Sequence, residues 1–416
     1  QSASGLYKAI YADTPEGTNL ADIWIQNENA TWSKEEADGI CDMVQQKWPD
    51  NGLTLKNCEP RLKNMGLLFH KDETDKEQLV TGIWHGIPTD AQISRIWMPS
   101  HETVSGRLAE ADHEVVIDAH AVEALKIKLG DSLQIGSGDG RLSFEVVGIG
   151  YHPDHLYFAQ DGALIPASEG DLITGYMTPA GLERLAGMSP GTASELLIDV
   201  EGTPDYDLLS TPAVEGEALQ HVVAELSNAL QENPLAKTAN ITNRSGIQSV
   251  EFLRADAEGA MKSYPFITGM LAIVAGITIF LSLQRLIQSQ AREIAILRTL
   301  GIGRSILMPA YILAPFLIGF IGVAIGVSLG VGVGAPAMRD MYEDIIGVPV
   351  VVTGLDNGIV ETNVLIAMLV VCLAGIRPAW KASRLQPLVV LRGEHEVRVS
   401  SRRIQRWTSR LPATLG

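Results

Sequence analysis

The chain lacks the short patterns by which several enzyme classes are recognised. No Gly-x-x-x-x-Gly-Lys-Ser/Thr loop occurs, which excludes a P-loop phosphate cradle, and no His-Glu-x-x-His pair occurs, which excludes a zincin-type metal helix. His152-Pro153-Asp154-His155 sets two imidazoles beside a carboxylate, but the proline breaks the helix that would align them and no third ligand is evident. Loop polarity accounts for that cluster. The glycine-rich stretch Gly136 to Gly140 is followed by no helix and no Lys-Ser/Thr, and it reads as a hairpin turn. No catalytic, metal-binding or cofactor-binding residue is assigned, and the chain is not expected to be an enzyme.

Positive charge is scarce in the first 264 residues, where 18 Lys/Arg stand against 41 Asp/Glu in a chain of net charge −17. Such acidity excludes nucleic acid and anionic lipid as partners of this part, because both need a basic footprint. It also lacks any apolar run that could cross a bilayer. A region of about 260 residues is large enough for its own core, or for two. Strand-like runs (Ala21 to Gln26, Leu53 to Phe69, Gln78 to Ile87, Glu114 to Ile117, Asp131 to Ile135, Arg141 to Gly150, Leu196 to Val200) alternate with helical ones (Ser33 to Trp48, Asp118 to Lys126, Glu217 to Gln231). Ser33 and Glu36 form a capping-box pattern at the start of the first helix. The fold expected here is α+β.

The remainder of the chain has the opposite character. Phe266 to Leu283 and Ile306 to Val333 carry no charge, and each is long enough to span a hydrocarbon core of about 30 Å. A third, shorter run from about Val364 to Ile376 ends at Arg377-Pro378-Ala379-Trp380, and Glu361 to Asn363 can extend it into the opposite headgroup layer. Between the first two runs Arg285, Arg292, Arg298 and Arg304 stand against Glu293. Between the second and third, Arg339 stands against Asp340, Glu343, Asp344, Asp356 and Glu361, and the tail after Trp380 is basic again. Basic, acidic, basic is the alternation of inside, outside, inside. The expected architecture is a multi-domain chain with an α+β extracytoplasmic domain and an α-helical transmembrane bundle of three visible spans, at about 266–284, 306–334 and 362–380. Three spans with the tail inside leave residues 1–264 outside with nothing to have carried them there, so a first span is expected upstream of Gln1. The domains expected are 1–244 (extracytoplasmic), 245–264 (a stalk helix), 265–392 (transmembrane) and 393–416 (a basic cytoplasmic tail).

Two segments carry a family resemblance. Arg292-Glu293-Ile294-Ala295-Ile296-Leu297-Arg298-Thr299-Leu300-Gly301, and the later run from Arg377-Pro378-Ala379-Trp380-Lys381-Ala382-Ser383-Arg384 through Leu391-Arg392, resemble the two cytoplasmic signatures of FtsX/MacB-type ABC transporter permeases. Glu114 to Asp118 and Leu125 to Leu133 are similar to the outer domain of the same family. The resemblance implies a permease that pairs with a second permease unit, either another copy or a second repeat in a longer chain. It also implies docking of a separate cytoplasmic ATPase through Arg292, Glu293, Ile294, Leu297, Arg298, Thr299, Leu300 and Gly301. ATP and magnesium would be bound by that ATPase and not by this chain. The work done would be export or extraction of lipoprotein, peptide or drug-like cargo, or, alternatively, mechanical regulation of an extracytoplasmic enzyme or sensor without transport. The setting implied is the plasma or inner membrane.

Three further expectations concern packing. Gly322, Gly326, Gly330 and Gly334 fall on one helix face and suit close helix–helix approach. Cys41 and Cys58 form either a disulfide, if the domain faces an oxidising compartment, or two buried thiols. The helical pattern from about Ser245 is either one rod running into the first span or two helices broken at Tyr264-Pro265.

Overall fold

The computed structural model describes residues 6–383 apart from 7–8, 28–29, 72–75, 138–139, 159–166, 169, 202–217 and 351–356. The basic segment 393–416 and the end of the second signature, Arg384 to Arg392, lie outside the described residues. The chain divides into a β-rich unit, Gln1–Ser263 with Ala335–Leu355, and a helical unit, Tyr264–Gly334 with Asp356–Gly416. The division differs from the expected domains in giving Ala335–Leu355 to the β-rich unit. The physical reason is apolar burial: Ile346 and Val348 join a core with Leu20, Trp24, Leu197 and Val250.

Among the described residues ten strands build the β-rich unit: β1 (Ile23–Gln26), β2 (Thr54–Lys71), β3 (Glu77–Gly86), β4 (Ser105–Gly106), β5 (Glu114–Asp118), β6 (Ser132–Ser137), β7 (Gly140–Gly150), β8 (Leu172–Met177), β9 (Glu195–Glu201) and β10 (Asn240–Asn243). Their order is β10-β1-β9-β2-β3-β8-β5-β7-β4, with β6 pairing β2 and β7. The long β2 serves two halves of this array. Thr54 to Arg61 pair antiparallel with β9, and Leu62 to Lys71 pair antiparallel with β3. Alternation of side chains fixes which face each half buries. On β1, Ile23 and Ile25 enter one core while Trp24 enters another; on β9, Leu196 and Ile198 face as Ile23 does, and Leu197 faces as Trp24 does.

Helices cover these faces. α1 (Lys34–Gln46) begins with the capping box read from the sequence: Ser33 N donates to Glu36 Oε2 at 2.8 Å and Glu36 N donates to Ser33 Oγ at 3.4 Å. Its Ala37, Ile40 and Val44 pack with Leu219, Val222 and Leu226 of α4 (Ala218–Glu232) over β1 and β9. α2 (Ala119–Leu125) and α3 (Pro179–Ala186) cover the second half, in a core centred on Trp84. Gly66, Gly82 and Gly175 make room for that indole, since a Cβ on any of them would come within 3.0 Å of it.

The remaining helices include the apolar runs. α5 (Gln248–Ser289) is one helix that passes through Pro265, so of the two readings left open the unbroken one describes this structure. α6 (Ala291–Thr299) is the connector, α7 (Arg304–Leu329) continues through a π turn at Gly330–Gly334 into α8 (Ala335–Ile346), and α9 is Asn357–Ser383. Among the described residues three helices are long and apolar enough to cross a membrane by length and composition: Gln248–Ser289, Phe316–Ile346 and Gly358–Trp380. α7 and α9 touch where Gly319 stands against Val371. Gly326-Val327-Ser328-Leu329-Gly330 has the spacing of a nucleophile elbow, but that motif needs a sharp strand-to-helix turn and this stretch begins inside α7. Ser328 Oγ donates to the Ala324 carbonyl at 2.8 Å, an ordinary helix back-bond.

Candidate functional site

The connector is a short helix with two unlike sides. Ala291, Ile294 and Ala295 are buried, while Ile296, Leu297 and Leu300 are exposed, Leu300 to 75 %. Leu300 follows Leu297 by three residues and Ile296 by four, which sets these positions on one side of a helical turn. The helix ends by a defined device: Ile302 N donates to the Leu297 carbonyl at 3.2 Å, Leu300 N donates to Ile296 O at 3.1 Å, and Gly301 between them has φ +93°. This is a Schellman stop, whose left-handed position favours glycine. It explains in physical terms why Leu300-Gly301 closes the signature. α7 then starts at Arg304 after Gly303, whose lack of a side chain leaves the cap without a side-chain hydrogen bond.

Of the residues expected to dock a partner, the structure brings Leu297 and Leu300 to an open surface, with Arg292, Glu293 and Thr299 also exposed. Ile294 is fully buried and is taken up by packing within the chain. Ile296, which is not among the expected docking residues, is exposed beside Leu297. Arg298 belongs to the helix, and its side chain lies outside the described residues.

Residues 265–387, which contain the connector and the two flanking apolar helices together with α9, match the family model described as FtsX-like permease C-terminal. These residues form an FtsX-like permease C-terminal domain. No curated protein matches the chain. As an FtsX-like permease the chain is a membrane protein and a permease component of the ABC-transporter class.

The remaining site expectations fall in both units of this FtsX-like permease. A Cβ on Gly322, Gly326 or Gly330 would meet no described atom within 4 Å, so that face of α7 is unoccupied by the described residues of its own chain; one on Gly334 would meet only the Leu329 carbonyl, at 3.8 Å. In the β-rich unit the Cys41 and Cys58 sulfurs are 2.02 Å apart, a bonded pair that ties α1 to β2. The same unit holds an open cleft of about 570 Å³ whose lining includes Ile87, Ile96, Trp97, Met98 and Met177, with Arg95 and Glu16 among its few charged groups.

Sequence reasoning missed the polar centre of the β-rich unit. Asp118 at the end of β5 is fully buried and accepts from the Tyr176 hydroxyl at 2.5 Å and from the backbone N–H of His120 at 3.1 Å, while His120 Nδ1 stands 2.6 Å away. Beside it His85, His152 and His155 converge, although the sequence reading places the last two in a polar loop and assigns nothing to the first. Nothing local signals this meeting, because β3 and the turn after β7 are neighbours only through the sheet order. Among the described residues no group of three or more His, Cys, Asp or Glu side chains is placed to hold a metal ion.

Proposed function

We propose that this chain is the permease subunit of an ABC system in which a separate cytoplasmic ATPase, binding ATP and magnesium, docks on α6. Its hydrolysis cycle moves the β-rich unit on the far side of the membrane. The orientation rests on charge: basic residues flank α6 and follow α9, whereas acidic ones occupy Asp340 to Glu361. The Cys41–Cys58 pair suits an oxidising compartment. One observation carries the docking: Leu297 and Leu300 are exposed on a short helix whose other side is sealed and whose end is fixed by Gly301. An apolar edge held rigid between two spans is what a force-transmitting contact needs.

Leu297→Asp tests it. Burying an unpaired carboxylate in an interface costs several kcal/mol, so the variant is expected to insert normally, to lose the ATPase on co-purification and to lose ATP-dependent activity. Retention of the ATPase with full activity would refute the docking role.

The cargo reading is export or extraction of lipoprotein, peptide or drug-like molecules. The cleft lined by Ile96, Trp97 and Met98 supports it, because an apolar recess suits a lipid chain, an apolar peptide side chain or a drug-like molecule; the alternative is regulation of an extracytoplasmic enzyme or sensor. Affinity capture on the full chain separates them: lipid-modified proteins, peptides or small hydrophobic molecules speak for cargo, and a single stoichiometric enzyme for regulation.

A further inference from the structure

His85 lies near the end of β3, and His152 and His155 lie in the turn after β7, which contains a short 3-10 segment at Pro153–His155. The three rings form one buried cluster. His85 and His152 stack at 5.1 Å between centroids, His85 and His155 meet edge-on at 4.9 Å, and His152 and His155 are 5.9 Å apart. His85 Nε2 and His155 Nε2 are 2.8 Å apart, a hydrogen bond in which one ring donates and the other must accept. An accepting nitrogen is an unprotonated one, so the pair as built contains at least one neutral ring. His152 Nδ1 accepts from the Asp154 backbone N–H at 3.3 Å, which makes that nitrogen an acceptor too.

The turn bearing two of these rings is also a fastening. Ser249, in the first turn of α5 and fully buried, donates its hydroxyl to the Asp154 carbonyl at 2.6 Å and accepts from the Tyr157 backbone N–H at 3.1 Å. The Tyr157 ring lies 4.5 Å from that of Phe252, and the Tyr11 hydroxyl donates to the Pro153 carbonyl at 3.1 Å. The imidazole cluster thus holds the turn to the sheet on one side, while the turn holds the start of α5 on the other.

We propose that His85, His152 and His155 form an acid-sensitive latch, which keeps the 152–157 turn and the first turns of α5 fastened to the sheet at neutral pH and releases them on acidification. The surroundings offer protonated rings little compensation. From β2, Arg61 and Lys63 oppose additional positive charge. From α2, His120 opposes it at His155. Asp118 at the end of β5 is engaged by Tyr176 of β8 and by His120. Two groups favour the protonated form, both at His152: the Asp154 carboxylate, 4.0 Å from Nδ1, and a backbone hydrogen bond with Ser94; burial outweighs them. Burial and this positive company hold all three imidazoles well below their ordinary range.

Linkage sets the sign. A histidine whose closed-state pKa is depressed takes up a proton on release, so release is favoured as pH falls below about 6.5. Each proton taken up multiplies the open-to-closed ratio by about ten per pH unit, and three give up to about a thousandfold. A metal site would be the other use of three imidazoles, but an Nε2–Nε2 hydrogen bond and an engaged His152 Nδ1 leave no converging set. The latch is independent of ATPase docking, and it stands or falls without it.

Hydrogen–deuterium exchange on the full chain in detergent or nanodiscs tests the proposal, with rates corrected for intrinsic pH dependence. Peptides covering 152–157 and 248–257 are expected to lose protection by tenfold or more between pH 7.5 and 5.5, while β1 and β9 stay protected. His155→Gln, which retains polarity without titrating near neutrality, is expected to make the response shallower. If that variant does not fold, the steepness of the wild-type curve decides, and uptake of two or more protons supports the cluster. Unchanged protection over this range, a one-proton curve, or loss spread evenly through the β-rich unit would overturn the latch.

Discussion

His120 Nε2 lies 3.0 Å from the carbonyl oxygen of Ile346, while Nδ1 of the same ring lies 2.6 Å from the Asp118 carboxylate. The ring thus bridges a carboxylate and a backbone carbonyl. Through this side chain the end of β5 holds the segment just after α8. The Tyr151 hydroxyl adds a bond to the Gly347 carbonyl at 2.9 Å, and Glu343 accepts from Val350 N at 2.7 Å. Gly347 is obligatory here: its φ is +72°, and a Cβ would fall 2.6 Å from His120 Cδ2.

His120→Ala therefore removes one anchor of that segment and leaves Asp118 short of a partner in a buried place. The expected cost is about 1–3 kcal/mol for the lost hydrogen bonds. Limited proteolysis and hydrogen exchange should show 346–350 opening before the strands do. Equal protection in the variant and the wild type would mean that the apolar seal of Ile346 and Val348 is enough by itself.

The two sides of α6 predict opposite phenotypes. Ile294 is fully buried, so Ile294→Ala should destabilise the fold by about 2–4 kcal/mol, as large-to-small core changes do. Leu297 is 38 % exposed, and Leu297→Ala should leave the melting temperature nearly unchanged while weakening ATPase co-purification. Matching stability losses in the two variants would place Leu297 in the packing and not in an interface.

Local pattern made some parts of the molecule legible in the sequence. The Ser33–Glu36 box fixes the start of α1, uncharged runs locate the membrane-length helices, and arginines between them mark the connector. Beyond local pattern the reading fails for identifiable reasons. β8 and α3, Leu172–Met177 and Pro179–Ala186, escape it although Pro179 sits at a favourable first helical position. β8 is buried along its whole length and carries no alternation. Ile294 falls among the expected docking residues because the resemblance covers the whole signature and does not say which side of the helix the rest of the chain covers. The histidine cluster depends on sheet order, which no local pattern encodes.

The Cys41–Cys58 bond joins a helix to a strand across a separation of 17 residues. A loop of that size gives up chain entropy worth about 3 kcal/mol in the unfolded state. Replacing both cysteines with alanine should lower stability by about that amount in the β-rich unit and leave ATPase docking intact. Thermal unfolding with and without reductant checks it: a wild-type chain insensitive to reductant would argue for free thiols in the native protein.

Gly322, Gly326 and Gly330 present a smooth face on α7 with no described atom within 4 Å of where a Cβ would stand. Within one chain, larger residues therefore fit there without displacing described atoms. A second permease unit packed on the face would be pushed away by them, since close helix approach in a membrane depends on small side chains. Gly326→Leu separates the two situations. It is expected to leave the monomer's helicity and melting temperature essentially unchanged, while shifting the protein from dimer to monomer in detergent and lowering ATP-dependent activity. Gly319→Leu supplies the contrast, because its Cβ would lie 2.6 Å from Val371 Cγ1. That variant should disturb α7–α9 packing and destabilise the single chain by about 1–3 kcal/mol. A Gly326→Leu protein that self-associates and works as the wild type does would show that α7 presents this face to lipid, and that the partner unit meets another helix.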